Sequence, residues 1–197
     1  MSRPEDIFRA AGGHLRMSEA IEKGISRYML YKMRDEGTIE QLSRGVYRLA
    51  ELPAIGNPDL VTVSLRIPNA VICLVSALAV HGLTTQIPHM VDIALPRTAR
   101  TPSLEYPVIR VYRFSQKTWA AGIEIRMMDT LPVRVYCVEK TLADCFRYRN
   151  KLGMDIVLEA LKLYARRNDV HYDKILEYAR AHRSDKAMYP YLEVVAK

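Results

Sequence analysis

The sequence predicts an α+β protein: a helical N-terminal module closed by a short two-stranded ribbon, then a mixed α/β domain that ends in a helical bundle. Three observations carry this prediction. Residues 25–49, ISRYMLYKMRDEGTIEQLSRGVYRL, have the punctuation of a helix followed by a tight hairpin. Pro53, Gly56 and Pro58 fall close together and mark a boundary at 51–58. From Val138 onward the apolar period becomes helical, with Val138, Leu142 and Phe146 at steps of four. The domains are therefore expected at 1–52 and 59–197, the second with mixed strands over 70–136 and helices over 138–196.

Taken in order, Pro4–Ala11 reads as a first helix, with Pro4 in its first turn and Gly12-Gly13 ending it. His14–Arg16 can add a third strand to the ribbon. Ser18 is expected to cap a short helix that ends before Gly24. Ser26 can cap the next helix, Ser26–Glu36, and Gly37 follows its last periodic residue, where a left-handed cap is easiest for glycine. Leu30 and Met33 lie on one side of that helix, and Ile25 closes the side from outside the cap. Arg27, Tyr31 and Arg34 fall at i, i+4 and i+7 and share another side. Thr38–Leu42 and Val46–Leu49 read as strands joined at Ser43-Arg44-Gly45. Two helices joined by a short glycine-containing turn, followed by a hairpin, make a winged helix-turn-helix.

The chemistry of this module suits double-stranded DNA. A recognition helix presents its N-terminal residues to base edges in the major groove. Arg27 and Tyr28 stand there; arginine bonds guanine bidentately and tyrosine donates to phosphate. Arg44 at the wing tip can follow a phosphate or enter the minor groove. The candidate DNA-binding set is Ser26, Arg27, Tyr28, Tyr31, Lys32, Arg34 and Arg44. Bulk charge does not help: residues 1–52 hold nine Lys/Arg against eight Asp/Glu, so any electrostatic footprint must come from clustering.

In the second domain, Asp59–Arg66 is a short helix that stops before Pro68, and Ala70–Leu74 is apolar and partly β-branched. Ser76 can cap a short helix that ends at His81-Gly82. Val91–Leu95, Val108–Phe114, Ile123–Met127 and Val133–Tyr136 are strand candidates, with a helix at Ser115–Ala121 and a hairpin turn at Asp129–Pro132. Helices follow at Val138–Tyr148, Met154–Arg167 and Asp173–Arg183. A last one, near Asp185–Val195, is expected to be interrupted or started by Pro190.

The 197 residues carry a formal net charge of +7, which favours anionic partners without choosing among them. Residues 131–197 hold thirteen Lys/Arg against nine Asp/Glu, so most of the excess lies outside the first module. Lys162, Arg166 and Arg167 make a candidate partner-binding face there, which could equally be solvated. Cys73, Cys137 and Cys145 show no CxxC spacing and sit in apolar sequence, as reduced, buried thiols of a cytoplasmic protein would. No apolar run is long enough to span a bilayer, and the first residues carry acids where a signal peptide would be apolar.

A search for catalytic constellations finds none. GxGxxG, a Walker phosphate loop, HExxH and GxSxG are absent, and His14, His81, His89, His171 and His182 are scattered without metal-ligand spacing. No catalytic residue, metal or cofactor is expected. Ser76 and His81, five apart, suit neither one helical face nor a nucleophile–base pair, and His81 reads as a helix-end histidine. Lys140 and Asp144, one turn apart, read as a solvated ion pair, with a buried, functional pair as the alternative. Asp92, Glu124 and Asp129 lack the following lysine of a nuclease core.

Three segments nonetheless support a family resemblance. Gly24–Leu49 resembles the N-terminal winged helix of AbiEi-type antitoxins, Ser76–Leu83 (SALAVHGL) is similar to that family's SALxxHGL segment, and Val133–Gly153 is similar to its strand–helix segment with K-T-x-A-D-x-F. The resemblance implies a two-part protein of a type IV toxin–antitoxin system, best known from phage-defence loci. One part binds repeats in its own promoter and represses the operon; the other counters a nucleotidyltransferase toxin encoded beside it, with no stable complex required. The reading is thus a non-enzymatic cytoplasmic transcriptional regulator. The alternatives are a nucleic-acid-processing enzyme whose winged helix positions substrate, and a protein-interaction adaptor whose winged helix never touches DNA.

Overall fold

A computed structural model describes residues 3–53, 56–128 and 131–196. The chain divides into two compact units. One comprises residues 1–68 with 104–107 and 126–133, the other residues 69–103, 108–125 and 134–197.

The first unit opens with α1 (Pro4–Ala10), β1 (His14–Arg16), α2 (Met17–Glu22) and α3 (Arg27–Asp35), followed by β2 (Ile39–Ser43), β3 (Val46–Leu49) and α4 (Pro58–Arg66). The three strands form an antiparallel sheet in the order β1-β3-β2. Gly37 and Gly45 both take positive φ, at 74° and 75°, the left-handed turns that end α3 and reverse the ribbon. Phe8, Leu15, Ala20, Ile25, Leu30, Met33, Ile39, Tyr47 and Leu49 pack as one core under the sheet and helices. Ser18 does not cap α2: the helix starts one residue earlier, and the Arg16 backbone N–H donates to Glu19 Oε2 at 2.9 Å. The arginine of α4, Arg66, donates to the carbonyl of Arg44 at the ribbon's turn.

The second unit's elements are β4 (Val71–Ile72), α5 (Leu74–Val80), β5 (Val91–Pro96), β6 (Ile109–Phe114), α6 (Gln116–Ala120) and parts of β7 (Ile123–Met128) and β8 (Leu131–Tyr136), of which residues 126–128 and 131–133 belong to the first. The helices α7 (Val138–Arg147), α8 (Arg149–Leu152), α9 (Met154–Ala165), α10 (Tyr172–Arg180) and α11 (Asp185–Val195) complete it. The five strands run in the order β6-β5-β4-β8-β7, with β4 antiparallel to β5 and parallel to β8, and β5 parallel to β6. Asp129 and Thr130 of the expected hairpin turn, and Ala54 and Ile55 of the expected boundary, lie outside the described residues. α11 runs through Pro190 without a break. Pro190 removes one i→i−4 bond, but Met188 and Leu192 are buried on either side of it and hold the helix to the core. All three cysteines are buried and unbonded, and burial pushes each thiol up.

Ser76 is not the cap of α5 either. It lies in the helix's first turn, where its hydroxyl accepts from the Asp92 N–H at 2.9 Å and donates to the Met90 carbonyl at 3.3 Å. Asp92 faces the same turn from β5, where the nearby backbone N–H groups of Val75 and Ser76 favour its charged form. Asp92 is 3% exposed, and its Oδ1 meets no hydrogen-bond donor among the described residues. Burial pushes its pKa from 3.8 to about 6, against the pull of Arg110 and the two backbone donors.

This shift has a definite sign. Between pH 3.8 and about 6 the folded chain holds a proton on Asp92 that the unfolded chain has released, so this group's contribution to stability falls as pH rises through that window. The loss is complete above the folded pKa and amounts to about 3 kcal/mol. Denaturant midpoints measured from about pH 4 to about pH 7.5 should show this decline in the native sequence, and Asp92→Asn, uncharged throughout, should lack it.

Candidate nucleic-acid interface

α3 is amphipathic because its apolar residues recur on one side only. Leu30 and Met33 are 0% and 3% exposed, while Tyr28 and Tyr31 are 75% and 42% exposed. Ser26 caps the helix, its hydroxyl accepting the Met29 N–H at 3.1 Å. The cap fixes the direction in which the first turn faces, and Arg27 and Tyr28 stand exposed on that turn. Their neighbours along the helix are engaged locally. Arg34 pairs with Asp35 at 2.7 Å and lies 5.1 Å over the Tyr31 ring, and Lys32 reaches Glu36 at 3.7 Å. Arg44 is exposed beside Gly45, whose carbonyl accepts the Met17 N–H at 2.9 Å, so the ribbon's turn is tied to the start of α2. Among the described residues, Arg27 and Arg44 carry charge with no carboxylate partner.

Arg48 has no local pattern that marks it as buried. It is 3% exposed, pairs with Glu40 at 2.9 Å and donates to the carbonyls of Leu52 and Pro53 at 2.5 and 2.7 Å, a structural clamp under the ribbon. The three basic residues expected to share a partner face also divide. Lys162 and Arg166 are exposed and line one shallow groove with Asp155 and Glu159. Arg167 is half-buried, and its guanidinium donates to the carbonyl of His81 at the end of α5. His81 does sit at a helix end, but its ring is fixed by the Tyr136 carbonyl, 2.7 Å from Nε2. Among the described residues no group of three or more His, Cys, Asp or Glu side chains could hold a metal ion, and no helix is long and apolar enough to cross a membrane.

Comparison with known proteins agrees with this arrangement. Residues 2–50 match the family model AbiEi_4, described as a transcriptional regulator, AbiEi antitoxin. That span covers α1 to β3, the whole of the winged module. The fold is similar to that of the RV2827C protein from Mycobacterium tuberculosis, with a TM-score of 0.65 over 96% of this chain and 74% of that one, at 14% sequence identity. No curated protein matches the sequence.

The EKTLADCF segment lies beyond the matched residues, and here the structure overturns the reading of a solvated ion pair. Lys140 and Asp144 are 1% and 0% exposed. Lys140 Nζ donates to Asp144 Oδ2 while lying 4.3 Å from the Tyr136 ring centroid and 4.8 Å from that of Phe114. The other carboxylate oxygen meets His182 Nε2 at 2.7 Å. The reason is the face of α7 on which the pair lies: Leu142, Ala143, Cys145 and Phe146 are all buried too, so every position of that stretch faces protein. Removing one member leaves an uncompensated buried charge. Lys140→Met or Asp144→Leu alone should therefore lower unfolding free energy by roughly 3–5 kcal/mol, whereas the double variant should lose much less than the sum. Chemical denaturation of the three variants checks it; additive losses would mean that the pair is not coupled.

Proposed function

We propose that this chain is a transcriptional repressor that binds repeats in its own promoter through α3 and the ribbon's turn. We further propose that it acts in the cytoplasm as the antitoxin of a nucleotidyltransferase toxin encoded beside it. One observation carries the DNA half: the capped first turn of α3 holds Arg27 and Tyr28 exposed, in a segment that matches a family of transcriptional regulators. Arg27 is assigned to base edges, where a bidentate guanidinium discriminates guanine. Tyr28, Tyr31 and Ser26 are assigned to the phosphates on either side, and Arg44 to the backbone or minor groove. Lys32 and Arg34 exchange their carboxylate partners for phosphate on binding. The antitoxin half is supported by the family match, and Lys162 and Arg166 are its candidate surface. Catalysis plays no part in either half.

In gel-shift titrations, promoter DNA should bind more tightly than random duplex, and log affinity should fall linearly with log salt. Arg44→Ala should weaken both DNAs alike and flatten the salt slope by about one. Arg27→Ala should cost roughly 1–3 kcal/mol of preference for the promoter. Equal affinity of the native protein for promoter and random DNA would remove the repressor reading. For the second half, co-expression with the adjacent toxin should show rescue of growth by the native chain and by Arg44→Ala, and weaker rescue by Lys162→Ala with Arg166→Ala. Arg167 is left out of that variant because it holds α5.

A further inference from the structure

The second unit contains a cleft of about 280 Å³ that neither half of the proposed function uses. Four arginines line it, Arg97, Arg113, Arg147 and Arg183, and no acidic side chain does. Among the described residues, none of the four is ion-paired with a carboxylate. They come from four places in the chain: the end of β5, β6, the end of α7 and the loop after α10. Like charges gathered without counter-charge repel one another, and a cleft of one sign focuses the field it makes.

The arginines are positioned rather than loose. Arg113 donates to the carbonyls of Pro96 and Ala99 at 3.1 and 2.7 Å and to Thr101 Oγ1 at 2.7 Å. Arg147 donates to the carbonyl of His182 at 3.2 Å. His182 itself lines the cleft and is held from behind by the buried Asp144 at 2.7 Å. Ser115 and Thr118 add two hydroxyls, 2.8 Å apart.

Arg183 is the most telling. The Ser184 N–H reaches the Ala179 carbonyl and the Arg183 N–H reaches the Arg180 carbonyl, both at 3.0 Å, and Arg183 has φ of 57°. That is a Schellman ending with Arg183 at the left-handed position, where glycine is the residue that fits best. A cation at a helix C-terminus complements the dipole, but this does not account for arginine in a left-handed backbone. From that backbone Arg183 lines the cleft.

We propose that this cleft binds a compact polyphosphate anion, a free oligophosphate or the phosphate chain of a nucleotide. Guanidinium groups bond phosphate oxygens in pairs, and hydroxyls complete such sites. Convergence of four cations on one small cleft suits several charges close together. The backbone of duplex DNA instead spreads one charge per ~3.4 Å along each strand. The assignment does not depend on the DNA-binding reading of α3.

The test is calorimetric titration of the full chain with inorganic triphosphate and with ATP, both without divalent metal. Saturable binding by the native protein is expected. Arg97→Gln with Arg183→Asn should weaken it at least about tenfold; asparagine tolerates the left-handed backbone. The charge-matched pair Lys174→Gln with Lys186→Gln, exposed and outside the cleft, should change it less than about twofold. Arg97→Gln alone should give a smaller loss in the same direction, and circular dichroism should show all variants folded. Equal affinity for triphosphate and ATP would assign recognition to the phosphate chain, and tighter ATP would add a nucleoside contact; both support the site. The proposal is overturned if the native chain shows no saturable binding, or if the control pair weakens binding as much as the cleft pair. It is also overturned if the cleft pair impairs only duplex DNA binding.

Discussion

The buried ion pair between Lys140 and Asp144 is the constraint around which the second unit is arranged. Neither charge can be left alone at that depth, so the neighbouring chain must satisfy both. Tyr136 and Phe114 offer ring faces to the ammonium, and His182 offers a nitrogen to the second carboxylate oxygen. Those partners come from β8, β6 and the end of α10, so one pair fixes an interior strand of the sheet, a strand at its edge and the helix ending beside them. Thr141 and His81 both bond the carbonyl of Tyr136, at 3.2 and 2.7 Å, and carry the same fixation toward α5. A purely apolar core would have packed as well without choosing one helix register, because apolar contacts are not directional.

Charge in the first unit is organised on the opposite principle, at the surface and by subtraction. The near-balance of acids and bases over residues 1–52 argues against a DNA-binding face when read as a sum. The structure distributes it unevenly. Among the described residues, Arg9, Lys32, Arg34 and Arg48 each sit against a carboxylate, while Arg3, Arg16, Lys23, Arg27 and Arg44 do not. Neutral composition thus coexists with local positive charge at the start of α3 and at the ribbon's turn, the two points that a winged module extends toward a duplex.

What the sequence made legible was whatever depends on nearest neighbours. Ser26 as a cap, Gly37 and Gly45 as left-handed turns, and Leu30 and Met33 as an inward face are all local events, and the winged module follows from them. Several of the misreadings involve partners from other elements. Lys140 and Asp144 have the spacing of a solvated pair, and nothing within α7 says that both sides of the helix are covered. Ser76 and Ser18 have the chemistry of caps, yet Ser76 spends its hydroxyl on Asp92 and Met90, and Ser18 lies inside its helix. Arg167 looks like its exposed neighbours in sequence but donates to a carbonyl 86 positions away, while Arg48 turns its donors onto carbonyls four and five residues on. The arginine cleft was invisible for the same reason: its members are separated by up to 86 positions, from Arg97 to Arg183, and converge only in the fold.

The mutual contact of Ser76 and Asp92 also sets how the second unit opens. The Asp92 amide is bonded to a side-chain hydroxyl on α5, not to a sheet neighbour, and the Asp92 carbonyl accepts from Cys73 at 3.0 Å. Its exchange with solvent therefore requires α5 to leave the strand, a larger event than fraying of a sheet edge. A single amide resonance at the start of β5 thereby becomes a gauge of how firmly helix and sheet move as one body.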